Sequence, residues 1–464
     1  MKKIFLAVFV FSINMVYSQS FQGLNFSTFD ALTAQSYNPA LGVGGHMKWQ
    51  VGIIGFDVTA ENDYLFMKGK IKDWVNGFDQ DTHVGENLDG EDKDLSLGVT
   101  ANAPSFMLRI KDKNTIGFFI KARGTMSVNG IDEDLATSLY NQQFDLLDWV
   151  DYVQDGKSSI GFTSWGEIGA SYGRNVFSNE KHRLDIGVNV KLLTDGVVGK
   201  VDIEDVNFTV TADSIVNVHD SKFQFYGSNS FDALIDDEDN TQDVNFGIKS
   251  VGFDFGVVYA YTIPGKASPF LKAGLSVNDI GKLKYEASKY SRTFVGNGLN
   301  IPGQLLLDGN GDYKNLDSIL DILGTRTNPT GTFKNSLPTV LNVFADIQPV
   351  KNFYVSVAGQ INLLSQKKDN PSSNMPTLLS ITPRYESKIF GAYLPMSYNK
   401  YGGFNMGAGV RVGQFSIGSN NFLTSLMKKQ FKSINIWMSV GFGKSDMSKK
   451  RKSSEIVEEE SIGG

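Results

Sequence analysis

Hydrophobic and small or polar residues alternate along much of the chain, in segments that often exceed ten residues. The odd positions from Val251 to Tyr261 are apolar or aromatic, and Asp254 lies among small residues at the even positions. Similar segments start at Leu184, Phe353 and Phe404. A period of two is that of a β-strand with one apolar face. Strands in soluble proteins average about five or six residues, so the length of these segments indicates strands that cross a membrane.

The repeated alternation predicts an all-β fold, a transmembrane antiparallel β-barrel with an apolar outer face and a small or polar lumen. We expect about 14 strands, with 12 or 16 as alternatives. A soluble sandwich or propeller also alternates, but segment length and aromatic residues near strand ends favour the barrel. The last strand also favours the barrel. A terminal strand that ends in an aromatic residue resembles the recognition signal of the outer-membrane assembly machinery. Its apolar face consists of Ile434, Ile436, Met438, Val440 and Phe442.

The chain divides into four regions. Lys2 and Lys3, an apolar run and the small residues before Gln19 predict a signal peptide, residues 1–18, that is cleaved on export. The next region does not alternate cleanly and contains a proline turn. The tail carries runs of both charge signs and is expected to be disordered. The predicted regions after the signal are an N-terminal hatch or plug (19–47), the barrel (48–442) and a charged periplasmic tail (443–464).

Three insertions have helical rather than strand spacing. They cover residues 132–155, 313–324 and 422–428. In a barrel of this kind the long loops lie outside the cell and the short turns lie in the periplasm. We therefore expect small helices within the loops.

Composition removes several classes of function. The chain has no cysteine, which excludes disulfides, thiol catalysis and thiolate metal sites. Its formal charge of −6 does not indicate the basic surface that nucleic-acid binding needs. No Gly-x-Ser-x-Gly motif accompanies the four histidines, His46, His83, His182 and His219. We expect no enzymatic activity and no cofactor.

Charged residues at inward-facing positions are the main candidates in the lumen. In a wide porin they line an aqueous channel, whereas in a narrow barrel they pair and close it. Pairing is the preferred interpretation. The set comprises Lys121, Arg123, Asp185, Lys191, Asp254 and Arg411.

One segment resembles the start of a calcium loop, with Asp308, Asn310 and Asp312 as oxygen ligands. The glutamate expected at the twelfth position is missing, because Ile319 occupies it. Turn chemistry explains the intervening glycines. The segment is therefore a weak metal candidate, and an ordinary loop is preferred.

Short sequence motifs spread over nearly the whole mature chain resemble those of known families. Asn38, Pro39, Ala40 and Leu41 resemble the hatch signature of FadL-type transporters of hydrophobic compounds. The motif at 274–281 is similar to one shared by FadL-like and PorV-like barrels of Bacteroidota. The motif at 382–386 resembles one from a Bacteroidota outer-membrane family of unknown function. The resemblance implies a FadL-like barrel of about 14 strands whose N-terminal hatch enters the lumen.

Two functions remain open at this level. The first is passive, FadL-like uptake of hydrophobic or amphipathic small molecules, with capture by apolar loop helices. The second is a closed, PorV-like barrel that binds a membrane or periplasmic protein within a secretion or assembly complex. Both place the protein in the bacterial outer membrane, in contact with its lipid. A continuous apolar groove favours the first, and a blocked lumen with an exposed apolar loop surface favours the second.

Overall fold

The computed structural model describes residues 21–446, apart from 70–78, 112, 142–150, 195, 212, 236–246, 267, 310, 312–313, 315 and 365–375. The predicted signal peptide and most of the predicted tail lie outside these residues. None of the helices in the described ranges is long and apolar enough to cross a membrane.

The strands of the first half are β1 (Met47–Asn62), β2 (Leu65–Lys68), β3 (Val84–Glu86), β4 (Lys93–Asn102), β5 (Ser105–Ile110), β6 (Asn114–Ile131), β7 (Asp151–Ser178), β8 (His182–Thr194), β9 (Val198–Val210), β10 (Ile215–His219), β11 (Ser221–Gly227) and β12 (Ile248–Tyr261). Those of the second half are β13 (Leu271–Ile280), β14 (Lys282–Glu286), β15 (Arg292–Gly296), β16 (Ile301–Pro302), β17 (Gly324–Thr327), β18 (Thr332–Ser336), β19 (Val340–Val350), β20 (Phe353–Asn362), β21 (Leu378–Glu386), β22 (Phe390–Tyr393), β23 (Met396–Asn399), β24 (Gly403–Met406), β25 (Ala408–Val412), β26 (Phe415–Ser419), β27 (Gln430–Phe431) and β28 (Ser433–Ser445).

The helices are short. They are α1 (Ala31–Tyr37), α2 (Gln80–His83), α3 (Glu133–Asn141), α4 (Asn229–Ile235), α5 (Leu316–Leu323) and α6 (Phe422–Met427), with 3₁₀ helices η1 (Pro39–Gly42) and η2 (Gly303–Leu306).

The strands form a closed antiparallel barrel of 14 strands, as the alternation predicts. The barrel closes because β28 pairs with the first half of β1, from Met47↔Ser445 to Ile54↔Val440. Three barrel strands are interrupted, so each appears as two segments. The order around the barrel is β1, β4 with β5, β6, β7, β8, β12, β13, β19, β20, β21, β22 with β23, β24 with β25, β26 and β28.

The two ends of the barrel differ. At one end, called the turn end, β1 begins, β28 ends and short turns such as 351–352 and 413–414 join neighbouring strands. At the other, the loop end, long connections such as 281–339 carry further hairpins. There, α3, α5 and η2 pack on strands β9, β10 and β15 around a buried apolar cluster that includes Leu135, Phe208 and Leu320.

The outer wall of the barrel is apolar. Large hydrophobic side chains alternate with buried polar ones, and they stay between about a third and two thirds exposed around the circumference. On β12, Val251, Phe253, Phe255 and Val257 face outward while Asp254 is buried. The predicted apolar face of the last strand also points outward, since Ile434, Ile436 and Phe442 are exposed. Lipid is the environment in which so large an apolar surface is stable.

Two predicted boundaries differ from the structure. Residues 151–155, assigned to a helix by spacing, begin β7 because their backbone pairs with β9 from Asp151↔Thr209 onward. Of that insertion, 133–141 is helical and 142–150 lies outside the described residues. The last strand continues past Phe442, since Lys444 and Ser445 pair with the start of β1 at Trp49 and Met47. The predicted helices at 313–324 and 422–428 correspond to α5 and α6.

Candidate functional site in the barrel lumen

Residues 21–46, the N-terminal segment, lie inside the lumen in its turn-end half. Asp30 caps the start of helix α1, because its carboxylate accepts hydrogen bonds from the backbone N–H and the hydroxyl of Thr33, at 3.2 and 3.0 Å. The helix ends at Asn38 because Pro39 excludes helical geometry from the residue before it, and Asn38 is extended with φ −146°. The Asn38 side chain then accepts from Ala40 N at 2.9 Å and starts η1.

A row of small inward-facing residues receives this turn. Gly173 pairs with Gly187, and Gly187 pairs with Gly256, so three glycines stand side by side on β7, β8 and β12. A Cβ atom on Gly187 would overlap the Pro39 carbonyl carbon, and one on Gly256 would overlap the Asn38 side-chain oxygen. Here glycine is required by close approach of two backbones. We call these three residues the glycine row.

The predicted hatch residues are therefore buried against the barrel wall. Asn38 and Ala40 have no exposed surface, and Leu41 packs with Val258 and Phe344. The Asn38 amide also donates to the Leu275 carbonyl oxygen at 3.0 Å.

Further anchors hold the rest of the N-terminal segment. The fully buried Arg384 donates to the Phe26 carbonyl oxygen at 2.9 Å and pairs with Asp346 at 2.7 Å. The carboxylate of Glu386 accepts from Thr28 N at 3.2 Å. Such charge-assisted bonds are stronger than neutral ones, so the segment is tied to the wall by groups that have left water.

Nearer the loop end, five charged side chains meet across five adjacent barrel strands. Lys191 Nζ lies 2.7 Å from Asp254 and 2.5 Å from Asp279, while Arg123 contacts Asp279 at 2.7 Å and Glu167 at 3.1 Å. Their side chains are at most 11% exposed. We call these residues the ion cluster.

The other predicted lumen charges also lie inside the barrel. Lys121 donates to Ser36 Oγ at 2.9 Å. Asp185 pairs with Arg183 at 2.8 Å. Arg411 is fully buried and donates to the Ser387 carbonyl oxygen at 2.6 Å, next to the turn end. All six predicted charges thus have partners within the barrel.

Sequence reasoning missed Glu167, Asp279, Arg384 and Glu386. Glu167 stands at an inward position next to Ile168, so the alternation could have found it. Asp279 has a φ of +60°, a left-handed conformation in which its backbone N–H donates to Asp254. Nothing in the strand pattern indicates that irregularity.

A cavity of about 130 Å³ lies between the N-terminal segment and the wall formed by β1, β4, β5 and β6. Its inner lining is mostly polar, with Gln35, Asn278 and Asn342 among the residues. Its lining also includes the exposed, outward-facing Ile54, Phe106 and Phe118. The cavity therefore borders the part of the wall that carries these three residues.

The wall is interrupted where the cavity meets it. Strand β4 ends at Asn102 and β5 starts at Ser105, and pairing to β1 jumps from Gly55↔Asn102 to Gly52↔Ser105. A bulge in β1 leaves Ile53 and Ile54 both outward, 47% and 53% exposed. Pro104 lies at the break and has no backbone N–H to donate. We call this place the wall break.

The described residues do not form a metal site. Within the ranges described above, no group of three histidine or acidic side chains could hold an ion. Of the calcium-loop candidates, Asp308 is described, whereas Asn310 and Asp312 lie outside the described residues. His182 contacts the Tyr259 hydroxyl at 2.7 Å on the exposed surface.

His46 lies at the turn end, where it packs on Phe29 at 5.1 Å between ring centroids. Burial lowers the pKa of His46 to about 4, with Lys272 and Arg109 acting in the same direction and Glu386 against it. The imidazole is therefore neutral in the folded protein at ordinary pH.

The chain matches the family of unknown function DUF5723 over residues 39–420, and it belongs to that family. No curated protein matches it. Among solved structures, it is similar to a Pseudomonas aeruginosa FadL homologue, with 12% identity, 92% of this chain and 96% of that chain covered, and a TM-score of 0.42.

Two toluene transporters are similar to a comparable extent. The Ralstonia pickettii protein TbuX has 13% identity, covers 89% and 93% of the two chains and gives a TM-score of 0.38. Pseudomonas putida TodX has 11% identity, with 87% of this chain and 91% of that chain covered, and gives a TM-score of 0.37. TM-scores of this size carry no inference about what this chain transports or binds.

Proposed function

We propose that the protein is an outer-membrane barrel for the passive uptake of hydrophobic or amphipathic small molecules. A ligand enters from the outside at the loop end, reaches the cavity beside the N-terminal segment and leaves sideways through the wall break. The N-terminal segment serves as a hatch that blocks the straight route toward the periplasm.

The observation that carries this proposal is the position of the cavity directly against the wall break, whose residues Gly52, Asn102 and Ser105 line it. The cavity lining includes inward polar groups and outward apolar ones, so a molecule with both characters is matched along the route. The driving force is burial of apolar ligand surface, worth about 25 cal/mol per Å². The chain supplies no chemistry to the ligand.

The described part of the loop-end helices packs inside the loop-end extension. Leu135 of α3 and Ile319, Leu320 and Leu323 of α5 are buried in its apolar cluster. Residues 142–150 of the predicted capture segment lie outside the described residues. The proposal therefore relies on the cavity for capture.

The test is to fill the cavity at the wall break. In a Gly52→Phe variant the new ring starts from a Cβ that lies 3.1 Å from Leu32 Cδ1 and so occupies the opening. We expect accumulation of a radiolabelled alkyl amphiphile by producing cells to fall to the background of cells without the protein. Unchanged accumulation contradicts the lateral route.

A lipid-facing glycine provides the matched control. Gly359 lies on β20 between the exposed Val357 and Ile361, and a Cβ there meets nothing closer than the Leu378 carbonyl oxygen at 4.0 Å. The Gly359→Phe variant should accumulate the amphiphile as the parent does. Heat-modified migration on gels reports that both variants form barrels.

A second function has one observation in its favour. The turn-end half of the lumen is filled by the N-terminal segment and its buried anchors, as a closed, partner-binding barrel requires. If Gly52→Phe leaves uptake unchanged, that PorV-like role in a secretion or assembly complex becomes the better account. Cross-linking in intact cells, followed by mass spectrometry of captured membrane and periplasmic proteins, then tests it.

A further inference from the structure

A two-stranded hairpin lies at the mouth of the barrel, at the loop end. Strands β14 and β18 pair with each other and form a sheet of their own, separate from the barrel sheet. The chain reaches β14 directly from β13 and leaves β18 for β19, and these two barrel strands are neighbours. The hairpin therefore continues two wall strands beyond the barrel. We call β14 and β18 the mouth hairpin.

One face of the mouth hairpin packs on the lumen side of the wall. Leu283 and Tyr285 are buried in an apolar cluster that includes Leu193 of β8. The cluster also includes Trp165 of β7, whose indole N–H donates to Glu167 of the ion cluster at 2.8 Å. The mouth hairpin therefore leans into the mouth, and its second face is turned away from this wall, toward the rest of the opening.

The second face is basic. Lys284 and Lys334 lie directly opposite each other across the two strands. Lys282 lies on the same face, two residues before Lys284. All three residues are exposed, and none of their ammonium groups forms an ion pair or a hydrogen bond with a residue that the structure describes. We call these three residues the lysine face.

The lysine pair acts against the stability of the mouth hairpin. Like charges directly opposite on two strands are destabilising, and a two-stranded hairpin is only marginally stable in water. Glu286 is the only acidic residue of the two strands, and its carboxylate accepts from the Asn229 amide at 3.4 Å rather than from a lysine. An anion between Lys284 and Lys334 removes the repulsion that the chain itself leaves in place.

The charge of that anion follows from the pair. Cβ atoms of directly opposite residues are about 4.5–5.5 Å apart, so both ammonium groups reach one small group. A carboxylate carries one charge and balances one lysine. A phosphate monoester carries a charge of about −1.5 to −2 at pH 7 and has three acceptor oxygens, so it balances both. Lysine binds phosphate as a compact point charge.

We propose that the lysine face binds the phosphate head of an alkyl phosphate monoester that enters the barrel. The mouth hairpin lies at the loop end, where the proposed route begins. The phosphate is recognised at the mouth, and the alkyl chain makes the apolar contacts along the route. This inference rests on the proposed function and specifies its substrate class.

The experiment measures equilibrium binding of radiolabelled dodecyl phosphate to the full-length protein in nanodiscs of zwitterionic lipid, at low ionic strength and with empty nanodiscs as background. Three unlabelled competitors are compared with dodecyl phosphate below their micellar concentrations. Dodecyl sulfate has a tetrahedral head with a single charge, lauric acid has a carboxylate, and inorganic phosphate has no chain. An exposed ion pair is worth up to about fivefold in affinity, so dodecyl phosphate should compete about threefold to fivefold better than either monoanion. It should also compete better than inorganic phosphate.

A paired variant tests the lysines. Lys284→Gln combined with Lys334→Gln removes both ammonium groups and the repulsion between them. We expect dodecyl phosphate binding to weaken about fivefold to twentyfold, one exposed ion pair for each lysine. Lys351→Gln combined with Lys388→Gln is the matched control, because it removes the same charge from two exposed lysines in turns of the turn end. The control should bind as the parent does.

A charge reversal separates binding from stability. Lys284→Glu places opposite charges across the two strands where the parent has like charges, so resistance to urea should be at least that of the parent. Binding of dodecyl phosphate should nevertheless fall at least as far as in the paired variant. Binding at the parent's level in either variant shows that the lysine face is not the site.

The outcomes separate this inference from the proposed function. If dodecyl sulfate or lauric acid competes as well as dodecyl phosphate, the phosphate assignment is overturned. If inorganic phosphate competes as well, the surface recognises free phosphate and the amphiphile is overturned. Accumulation in the Gly52→Phe variant is an independent readout. Binding that depends on the lysines, together with unchanged accumulation in Gly52→Phe, keeps the lysine face as a binding site and overturns the lateral uptake route.

Discussion

Replacing Lys191 by methionine removes the central cation of the ion cluster and keeps an unbranched side chain. Its ammonium contacts Asp254 and Asp279 at 2.7 and 2.5 Å, and the side chain is 3% exposed. Without it, the cluster keeps three carboxylates and a single arginine. The excess negative charge is largely buried, so the folded state should lose stability.

The size of the loss follows from the burial of the pair. Removing one partner of a buried ion pair costs about 3–5 kcal/mol, because the remaining charge is uncompensated. With a urea slope of about 3 kcal/mol per M, the midpoint of unfolding falls by about 1 to 1.7 M. Adding Asp254→Asn to Lys191→Met removes one excess charge and should recover part of that shift.

The assay is urea unfolding of the refolded protein in detergent, followed by tryptophan fluorescence. Lys157→Met is the matched control, because Lys157 also pairs with a carboxylate, that of Glu204, yet its side chain is 67% exposed and Glu204 keeps Lys222 as a second partner at 3.0 Å. Such a surface pair is worth about 0–1 kcal/mol. If Lys191→Met unfolds with the control rather than well below it, the ion cluster is hydrated and this reasoning is wrong.

Three further perturbations test other parts of the lumen. Gly187→Leu should push η1 off the glycine row at Pro39 and produce ion conductance that the parent lacks, measured in planar bilayers. Arg384→Met should free the backbone at Phe26 and raise the rate of proteolysis within the N-terminal segment, measured by mass spectrometry; an unchanged cleavage pattern shows that Arg384 is not an anchor. Burial lowers the pKa of His46 to about 4, so the neutral imidazole stabilises the folded state fully above pH 6.5. As the pH falls toward 4, this contribution to the free energy of unfolding, about 3 kcal/mol, is lost. The His46→Gln variant should lack that part of the acid destabilisation in urea titrations at several pH values, and an identical slope contradicts the burial of the ring.

The alternation was sufficient for the barrel because lipid and lumen impose opposite demands on successive residues. It placed Asp254 inside and Phe255 outside, as observed. It could not place the start of β7, where pairing with β9 overrides the helical spacing of the preceding insertion. Local patterns describe one strand at a time, and that pairing joins residues far apart in the chain.

The cavity was beyond sequence reasoning for a related reason. The inward positions of Gly187 and Gly256 were visible in the pattern, but their alignment in one row depends on the register between strands. The wall break requires both Pro104 and the bulge at Ile53, which come together only in the folded barrel. The candidate charges were found because an inward charge is unusual on any alternating strand.

The most direct test of the account compares ion conductance of the full-length barrel with that of a variant lacking residues 21–46, both refolded and inserted into planar bilayers. The account predicts a silent full-length protein and steady conductance from the shortened one, because the N-terminal segment closes the turn-end half of the lumen. Conductance from the intact barrel, or silence from a shortened barrel that is shown to be folded by heat-modified migration, contradicts the claim that this segment is the closure.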